Sequence, residues 1–291
     1  MRVLLTGAKG LLGQEVADHL KLGGHEAILV GHEFDVSDPT SSAKIATSAF
    51  GDLDWIINCA AYTAVDQAES DAQAAYDVNG LGPSFLGDAC AIANVKLLHV
   101  STDFVFNGSA DAPYKEEDPT DPINAYGRSK LAGESALGGN FRAVTVRTSW
   151  LFGPRGRCFP RSILRALNDG RSLTVVADQF GTPTYTPHLA ARMVQIIETN
   201  PFPGIYHVAG PETVSWHEFA GRILTEWGVA STRVQPISTS DWPTAARRPA
   251  FSALCSDKIL TQGIEPFPAL DVAISEFCAI LRGEEERVGE I

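Results

Sequence analysis

Tyr126-Gly-Arg-Ser-Lys130 sets a phenol and an ammonium four residues apart in a stretch of helical character, so both side chains share one face. A cation beside a phenol favours the phenolate and draws its pKa from about 10 toward neutrality, which makes a usable proton donor or acceptor. Y-x-x-x-K also arises by chance on exposed helices. Its weight here comes from Ser101-Thr102 at the end of the preceding strand-like run, because strand carboxyl ends line the ligand crevice of open sheets. A second constellation is Gly7-Ala-Lys-Gly10-Leu-Leu-Gly13, between the first apolar run and the first helical run. Glycines there allow a tight turn and the close approach of a pyrophosphate, whose charge meets the free N–H groups and dipole of the helix. The position after an amino-terminal strand lifts it above a bare glycine-rich turn and points to dinucleotide binding. The acidic residue that would hold a ribose 2′-hydroxyl is missing from Leu29-Val-Gly-His32, so NADP is permitted without being required. Asp35, three residues on, has two readings, the adenine edge or the cap of the following helix.

These groups need a frame. Arg2 to Thr6, Leu11 to Leu22 and Glu26 to Gly31 read as strand, helix and strand, a βαβ unit. The alternation continues with strands at Trp55 to Cys59, Lys96 to Ser101 and Ala143 to Thr148, and helices at Ala72 to Ala93 and Ala125 to Leu137. Near-continuous apolar strands are buried on both faces, so the expected fold class is α/β, a Rossmann-type doubly wound parallel sheet with a smaller α/β substrate-binding lobe. Residues 1–150 are expected to form the nucleotide-binding domain, with segments near 173–200 returning to it, and residues 151–291 mainly the lobe. In that second half, strands are expected at Leu173 to Val176 and Ile205 to Val208, and helices at Phe159 to Asn168, Pro187 to Glu198 and Trp216 to Trp227. The run Arg282-Gly-Glu-Glu-Glu-Arg287 reads as a solvated, fraying end.

Composition removes several classes of function. Across 291 residues, 35 acidic side chains against 23 basic give a net charge of -12, which argues against nonspecific nucleic-acid binding. With 44% hydrophobic and 20% charged residues the chain is globular, not disordered. No apolar window reaches membrane-spanning length, and the amino terminus lacks the apolar stretch of a secretory signal, so a soluble cytoplasmic protein is expected. Five cysteines without C-x-x-C spacing read as reduced core thiols, and Asn107-Gly-Ser109 as a turn.

The glycine motif, Thr102, Tyr126 and Lys130 together resemble the extended short-chain dehydrogenase/reductases. Longer strings narrow the resemblance to the dTDP-4-dehydrorhamnose reductase family over nearly the full chain: Asn58-Cys-Ala-Ala-Tyr-Thr-Ala-Val-Asp66, Ser101-Thr-Asp-Phe-Val-Phe106, Arg147-Thr-Ser-Trp150, Asp178-Gln-Phe-Gly-Thr-Pro-Thr184 and Arg248-Pro-Ala-Phe-Ser252. The resemblance implies reduction of the 4-keto group of a dTDP-6-deoxyhexulose by NADPH or NADH. Tyr126 would protonate the carbonyl oxygen, Lys130 would hold the cofactor ribose and tune Tyr126, and Thr102 would orient the carbonyl. Gly7, Gly10, Leu11, Leu12 and Gly13 would lie at the pyrophosphate, Asp35 and Val36 at the adenosine, and Ala60, Ala61 and Tyr62 at the nicotinamide. Thr63, Val65, Asp103, Phe104 and Trp150 would border the sugar, and Arg248 its phosphates. Asn79 falls where related enzymes carry an asparagine supporting the lysine, and reads equally as an ordinary helical polar residue.

Between Ser135 and Asn168 stand six arginines, 142, 147, 155, 157, 161 and 165, without an acidic residue, a local positive field suited to a nucleotide diphosphate. A dehydratase of the superfamily would carry a glutamate where Phe104 stands. An epimerising reductase would need a cysteine and histidine at the sugar, and the surroundings of Cys158 and His188 do not match that pattern. The rival from another class is a noncatalytic regulatory subunit like the beta subunit of methionine adenosyltransferase; an intact Thr102, Asp103, Tyr126 and Lys130 favours the enzyme. Some family members are magnesium-linked dimers. Glu15 matches one ligand, but Tyr185-Thr-Pro-His188 lacks the second carboxylate, so no structural metal is expected, and monomer and homodimer both stay open.

Overall fold

The computed structural model describes residues 1–140 and 142–289, with side chains described up to residue 284 in the last helix. Its centre is a parallel sheet of six strands in the order β2-β1-β3-β4-β5-β10. These are β1 (Arg2–Thr6), β2 (Glu26–Leu29), β3 (Trp55–Asn58), β4 (Lys96–Thr102), β5 (Ala143–Thr148) and β10 (Gly204–His207). Alternation sends Val3, Leu5, Ile57, Leu98, Val144 and Val146 into one core with α1 (Leu11–Leu22) and α7 (Thr186–Thr199). Leu4, Ile56, Leu97 and Ala143 point to the other face, under α2 (Pro39–Ala46), α4 (Gly82–Ala93) and α5 (Ala125–Leu137). The sheet is thus buried on both faces. The chain winds outward from β1 to β2 and then, from β3, in the opposite direction, so the topological switch falls between β1 and β3, where open sheets bind ligands at their carboxyl ends.

The smaller lobe is built from β6 (Leu151–Phe152), β7 (Leu173–Val176), β8 (Phe180–Gly181), β9 (Thr184–Tyr185), β11 (Val214–Ser215) and β12 (Val234–Ile237), which pair as β6 with β9, β7 with β12 and β8 with β11. Around them pack α6 (Phe159–Asn168), α8 (Trp216–Glu226) and α10 (Leu270–Gly289), over a core of Phe152, Phe219, Ile274 and Phe277, while the short α9 (Asp257–Leu260) sends Ile259 into the sheet core. Of the segments expected near 173–200, α7 packs on the sheet, whereas β7 pairs with β12 in the lobe; β10 adds the sixth strand of the sheet. The expected solvated end at 282–287 lies partly outside the described residues: the backbone of α10 continues to Gly289, Arg282 and Glu284 are exposed, and the side chains of residues 285–287 are not described, while Arg282 lies over the Trp227 ring and donates to the Glu226 carbonyl at the end of α8. The expected helix 72–93 is interrupted by a π-helical turn at Asp77–Leu81, between α3 (Ala72–Tyr76) and α4. The five cysteines are free thiols. Asn107 closes a turn by accepting the Ser109 N–H. Among the described residues no helix is long and apolar enough to cross a membrane.

Candidate active site

At the switch point the main chain forms a cradle. Gly7 follows β1 with φ +66°, and a Cβ there would fall 2.6 Å from the Ala60 nitrogen, so only glycine lets the ends of β1 and β3 close up. A Cβ on Gly13 would stand 2.1 Å from the Gly7 carbonyl oxygen, which holds α1 against the turn. Helix α1 begins after Gly10 with no side-chain cap and no acidic residue in its first turn, leaving its N–H groups and dipole free for an anion. These features fit a dinucleotide pyrophosphate. Leu12 is buried and Leu11 partly buried beside them. Beneath the cradle, the Asn58 amide oxygen accepts from the Thr6 hydroxyl and the Ala60 N–H, while its nitrogen meets His99 Nδ1 at 3.0 Å.

The adenosine end departs from the expected picture. Asp38, not Asp35, caps α2; Asp35 folds onto Ser37, accepting its N–H and hydroxyl. Val36 is buried in the core against Gly82, so only its main chain is available to a ligand. An acid does reach the end of β2: Glu33 folds back to accept the Gly31 N–H at 2.7 Å and lies 3.6 Å from the Lys9 ammonium. The motif position alone could not show that reversal.

Across the crevice, β4 ends at Thr102, which pairs in register with Thr148 of β5. The Thr102 hydroxyl accepts the Phe104 N–H and donates to Asp103 Oδ1 at 3.0 Å. Helix α5 starts at an Asn124 cap whose oxygen accepts the Gly127 N–H and whose nitrogen donates to the Arg247 carbonyl, tying the helix to the segment carrying Arg248. Tyr126 and Lys130 then point toward the end of β4, and Phe104 meets the Tyr126 ring edge-on at 5.9 Å. The expected fall of the Tyr126 pKa is not found in this state. Burial pushes the phenol up to about 12, while the Thr102 hydroxyl bonded to it works in the opposite direction. Lys130 is buried and donates to the Val100 carbonyl at 2.6 Å; desolvation brings it down to about 8 against the attraction of Glu134 one turn on. Asn79, in the π turn, bonds both main-chain polar groups of Tyr62 and the Ser129 hydroxyl, which in turn donates to the Tyr126 carbonyl. Its contacts therefore staple the Ala60–Tyr62 loop to the tyrosine helix and do not include Lys130.

Thr63 is exposed and Val65 half-buried on the loop after β3. Trp150, two residues past β5, has φ +46° and stacks face to face on Trp216 at 3.5 Å. Strained backbone of this kind collects at functional sites. Arg248 is held by a two-pronged ion pair to Asp66, at 2.6 and 2.7 Å, which keeps the Asp66 carboxyl down at about 2. The six arginines do not form one positive field. Arg147 is buried in a pair with Glu134, Arg155 binds Glu15 and Asp18, Arg161 binds Glu284, Arg142 lies at the amino ends of the strands, and Arg157 and Arg165 are exposed. A linear count of charges missed the acids that distant segments supply. Glu15 lies in the second turn of α1, buried, with burial raising its pKa. Cys158 bonds the Gly153 carbonyl and His188 pairs with Glu276, so the two do not meet. Sequence reasoning missed Trp216 and the Glu134–Arg147 pair; of these Glu134 carried a signal, continuing the Tyr126–Lys130 face by one more turn.

The chain matches the family model described as the RmlD substrate binding domain over residues 1–282. A dTDP-4-dehydrorhamnose reductase of Burkholderia thailandensis is 40% identical over 284 residues, spanning 91% of this chain and 94% of that protein. A solved dTDP-4-dehydrorhamnose reductase from Clostridium acetobutylicum superposes with a TM-score of 0.91 at 32% identity, covering 97% of this chain and 100% of that one. Another, from Bacillus anthracis in complex with NADP, gives 0.89 at 33% identity over 95% and 98% of the two chains. With glycine cradle, Thr102, Tyr126 and Lys130 gathered at one sheet edge, the chain belongs to the dTDP-4-dehydrorhamnose reductase family.

Proposed function

We propose that this protein reduces the 4-keto group of dTDP-4-dehydro-L-rhamnose to the alcohol of dTDP-L-rhamnose with NADPH, in the cytoplasm. One observation carries the reading: the phenol of Tyr126 and the hydroxyl of Thr102 meet beside the glycine cradle, at the switch point of the sheet. Bound NADPH supplies the hydride. Gly7, Gly10 and Gly13, with the first N–H groups of α1, hold its pyrophosphate, aided by Leu11 and Leu12, while Asp35 and the main chain of Val36 lie toward the adenosine and Ala60, Ala61 and Tyr62 toward the nicotinamide. Residues 1–150 with α7 and β10 form the cofactor half, and the rest of the chain forms the sugar-nucleotide lobe.

Thr102 orients the ketone oxygen, and Tyr126 gives it a proton as negative charge develops there. A phenol near 12 holds its proton through the neutral range and loses it when that charge arrives. Lys130, buried one helical turn away, holds the cofactor ribose and adds positive potential. Thr63, Val65, Asp103, Phe104 and Trp150 border the sugar, and Arg248, pre-oriented by Asp66, meets the diphosphate. The test is sugar-dependent loss of reduced-nicotinamide absorbance, with the 4-keto dTDP sugar generated by the upstream enzymes and NADH run alongside. Cofactor binding without turnover on any nucleotide ketosugar would overturn the reading in favour of a noncatalytic subunit.

A further inference from the structure

Helix α5 carries Tyr126, Lys130 and Glu134 at successive turns of one face. Lys130 is 2% exposed and donates to the Val100 carbonyl at 2.6 Å; among the described residues no other acceptor takes its ammonium, so the remaining N–H groups are open. Glu134, four residues on, stands where an acid ordinarily pairs with a lysine along a helix, yet its carboxylate is occupied from the sheet instead. Oε1 accepts the hydroxyl of Ser101, the residue after Val100. Arg147 of β5 forks both oxygens, with Nε at 3.0 and 3.2 Å and Nη2 at 2.7 Å. The sheet register sets Arg147 between Ser101 of β4 and His207 of β10, and its Nη1 donates to His207 Nε2 at 3.4 Å. His207 Nδ1 faces the Tyr114 carbonyl at 3.0 Å, so the ring carries its proton there and accepts from Arg147 through Nε2. The Phe106 ring lies 5.0 Å from the same guanidinium. Glu134, Arg147 and His207 are all buried, so the fork is held on every side without water.

We propose that Arg147 is a positioning residue for the cofactor: by holding both oxygens of Glu134 it keeps that carboxylate off Lys130 and leaves the ammonium free for the cofactor ribose. The inference rests on the cofactor half of the reductase reading above. Fixed in this way, Glu134 acts on Lys130 as a nearby negative charge that favours the ammonium against its burial, without taking its N–H groups. The other ionisable groups around Lys130 do not supply that charge. Desolvation pushes the Cys59 thiol after β3 up to about 12 and holds the His99 imidazole of β4 neutral, and Tyr126, one turn back on α5, keeps its proton. Without the fork, Glu134 is free to turn back along the helix and pair with Lys130 directly.

The test titrates NADPH by nicotinamide fluorescence, without sugar and across pH, on wild type, Arg147→Met, Arg147→Lys and the double variant Arg147→Met with Glu134→Gln. Wild-type affinity is expected to fall as pH rises through about 8, where Lys130 loses its proton. Arg147→Met should bind NADPH roughly tenfold more weakly at neutral pH, the scale of one hydrogen bond to a charged group. Its midpoint should nevertheless move to higher pH, because a lysine in a direct ion pair keeps its proton longer. A merely structural pair would lower Tm and leave that midpoint in place. The double variant has no carboxylate to capture Lys130, so it should recover most of the affinity and bring the midpoint back below that of Arg147→Met. Arg147→Lys keeps the charge but cannot fork, and should show part of both changes; it decides the matter should Arg147→Met fail to fold. The inference is overturned if the folded variants bind NADPH as wild type does with only Tm lowered, or if affinity falls with the midpoint unmoved and the double variant fails to recover it. A wild type that binds NADPH while its variants behave alike defeats this inference alone, whereas a wild type that binds none defeats the cofactor site and the inference with it.

Discussion

Around Gly7 the crevice wall is main chain, with a left-handed turn, a helix start free of side-chain caps and the end of β3 in van der Waals reach. Opposite it the wall is made of side chains drawn from far apart: Thr102 on β4, Tyr126 on α5, Trp150 stacked on Trp216, and Arg248 paired with Asp66 across 182 positions. The first wall demands residues without a Cβ at fixed spacing. The second demands that separate elements arrive in the right place, so its parts tolerate change unequally and fail in different measurements.

Substitutions on the two walls should therefore separate cofactor affinity from turnover. Tyr126→Phe, on the side-chain wall, is expected to lower kcat by at least ~10²-fold with cofactor affinity unchanged, as seen in titrations of nicotinamide fluorescence. Near wild-type turnover would remove Tyr126 from its role. Gly13→Ala, on the main-chain wall, should do the opposite, weakening NADPH at least ~10-fold and lowering Tm, because overpacking against the Gly7 carbonyl costs about 1–3 kcal/mol. Unchanged calorimetric affinity would mean the turn accommodates the methyl group.

Smaller effects probe the links between walls. Asp66→Asn should raise KM for the nucleotide sugar several-fold, on the order of 1 kcal/mol, with KM for NADPH unmoved. Asp66 also carries a pH signature. Its folded pKa lies near 2, below the unfolded value of about 3.9, so the ion pair stabilises the fold above about pH 4 and that contribution is lost as pH falls toward 2. Both partners are partly exposed, so the Tm difference between wild type and Asp66→Asn should be small above pH 4 and vanish toward pH 2. The least effect is expected from Glu33→Gln, which frees Lys9 and takes a negative charge from the end of β2; the ratio of NADPH to NADH affinity should rise by no more than a few-fold, because both groups are exposed. An unaltered ratio would place the 2′-phosphate away from Lys9.

Much of this was legible along the chain. Helices α1, α5 and α6 and strands β1, β5 and β7 begin and end where the apolar spacing and glycine punctuation put them. The glycine spacing and the Tyr126–Lys130 step are local, set by backbone sterics and helical period, so they survive without knowledge of the fold. The arginine-rich stretch misled because its acids lie elsewhere: Glu134 sits on α5, Asp18 on α1 and Glu284 on α10. The Tyr126 pKa misled because proximity of a lysine is a property of the helix, whereas desolvation is a property of everything packed around it.

Sequence alone determined most of the sheet strands, the glycine turn that follows β1 and the Tyr126–Lys130 step on one helix face, since each depends on interactions within a few residues. Tertiary structure decided that β10 and not β7 completes the sheet, that Asp103 is buried beside Thr102, and that Trp216 backs Trp150. The reason is physical: burial and long-range pairing are set by which surfaces meet, and no local spacing encodes that meeting.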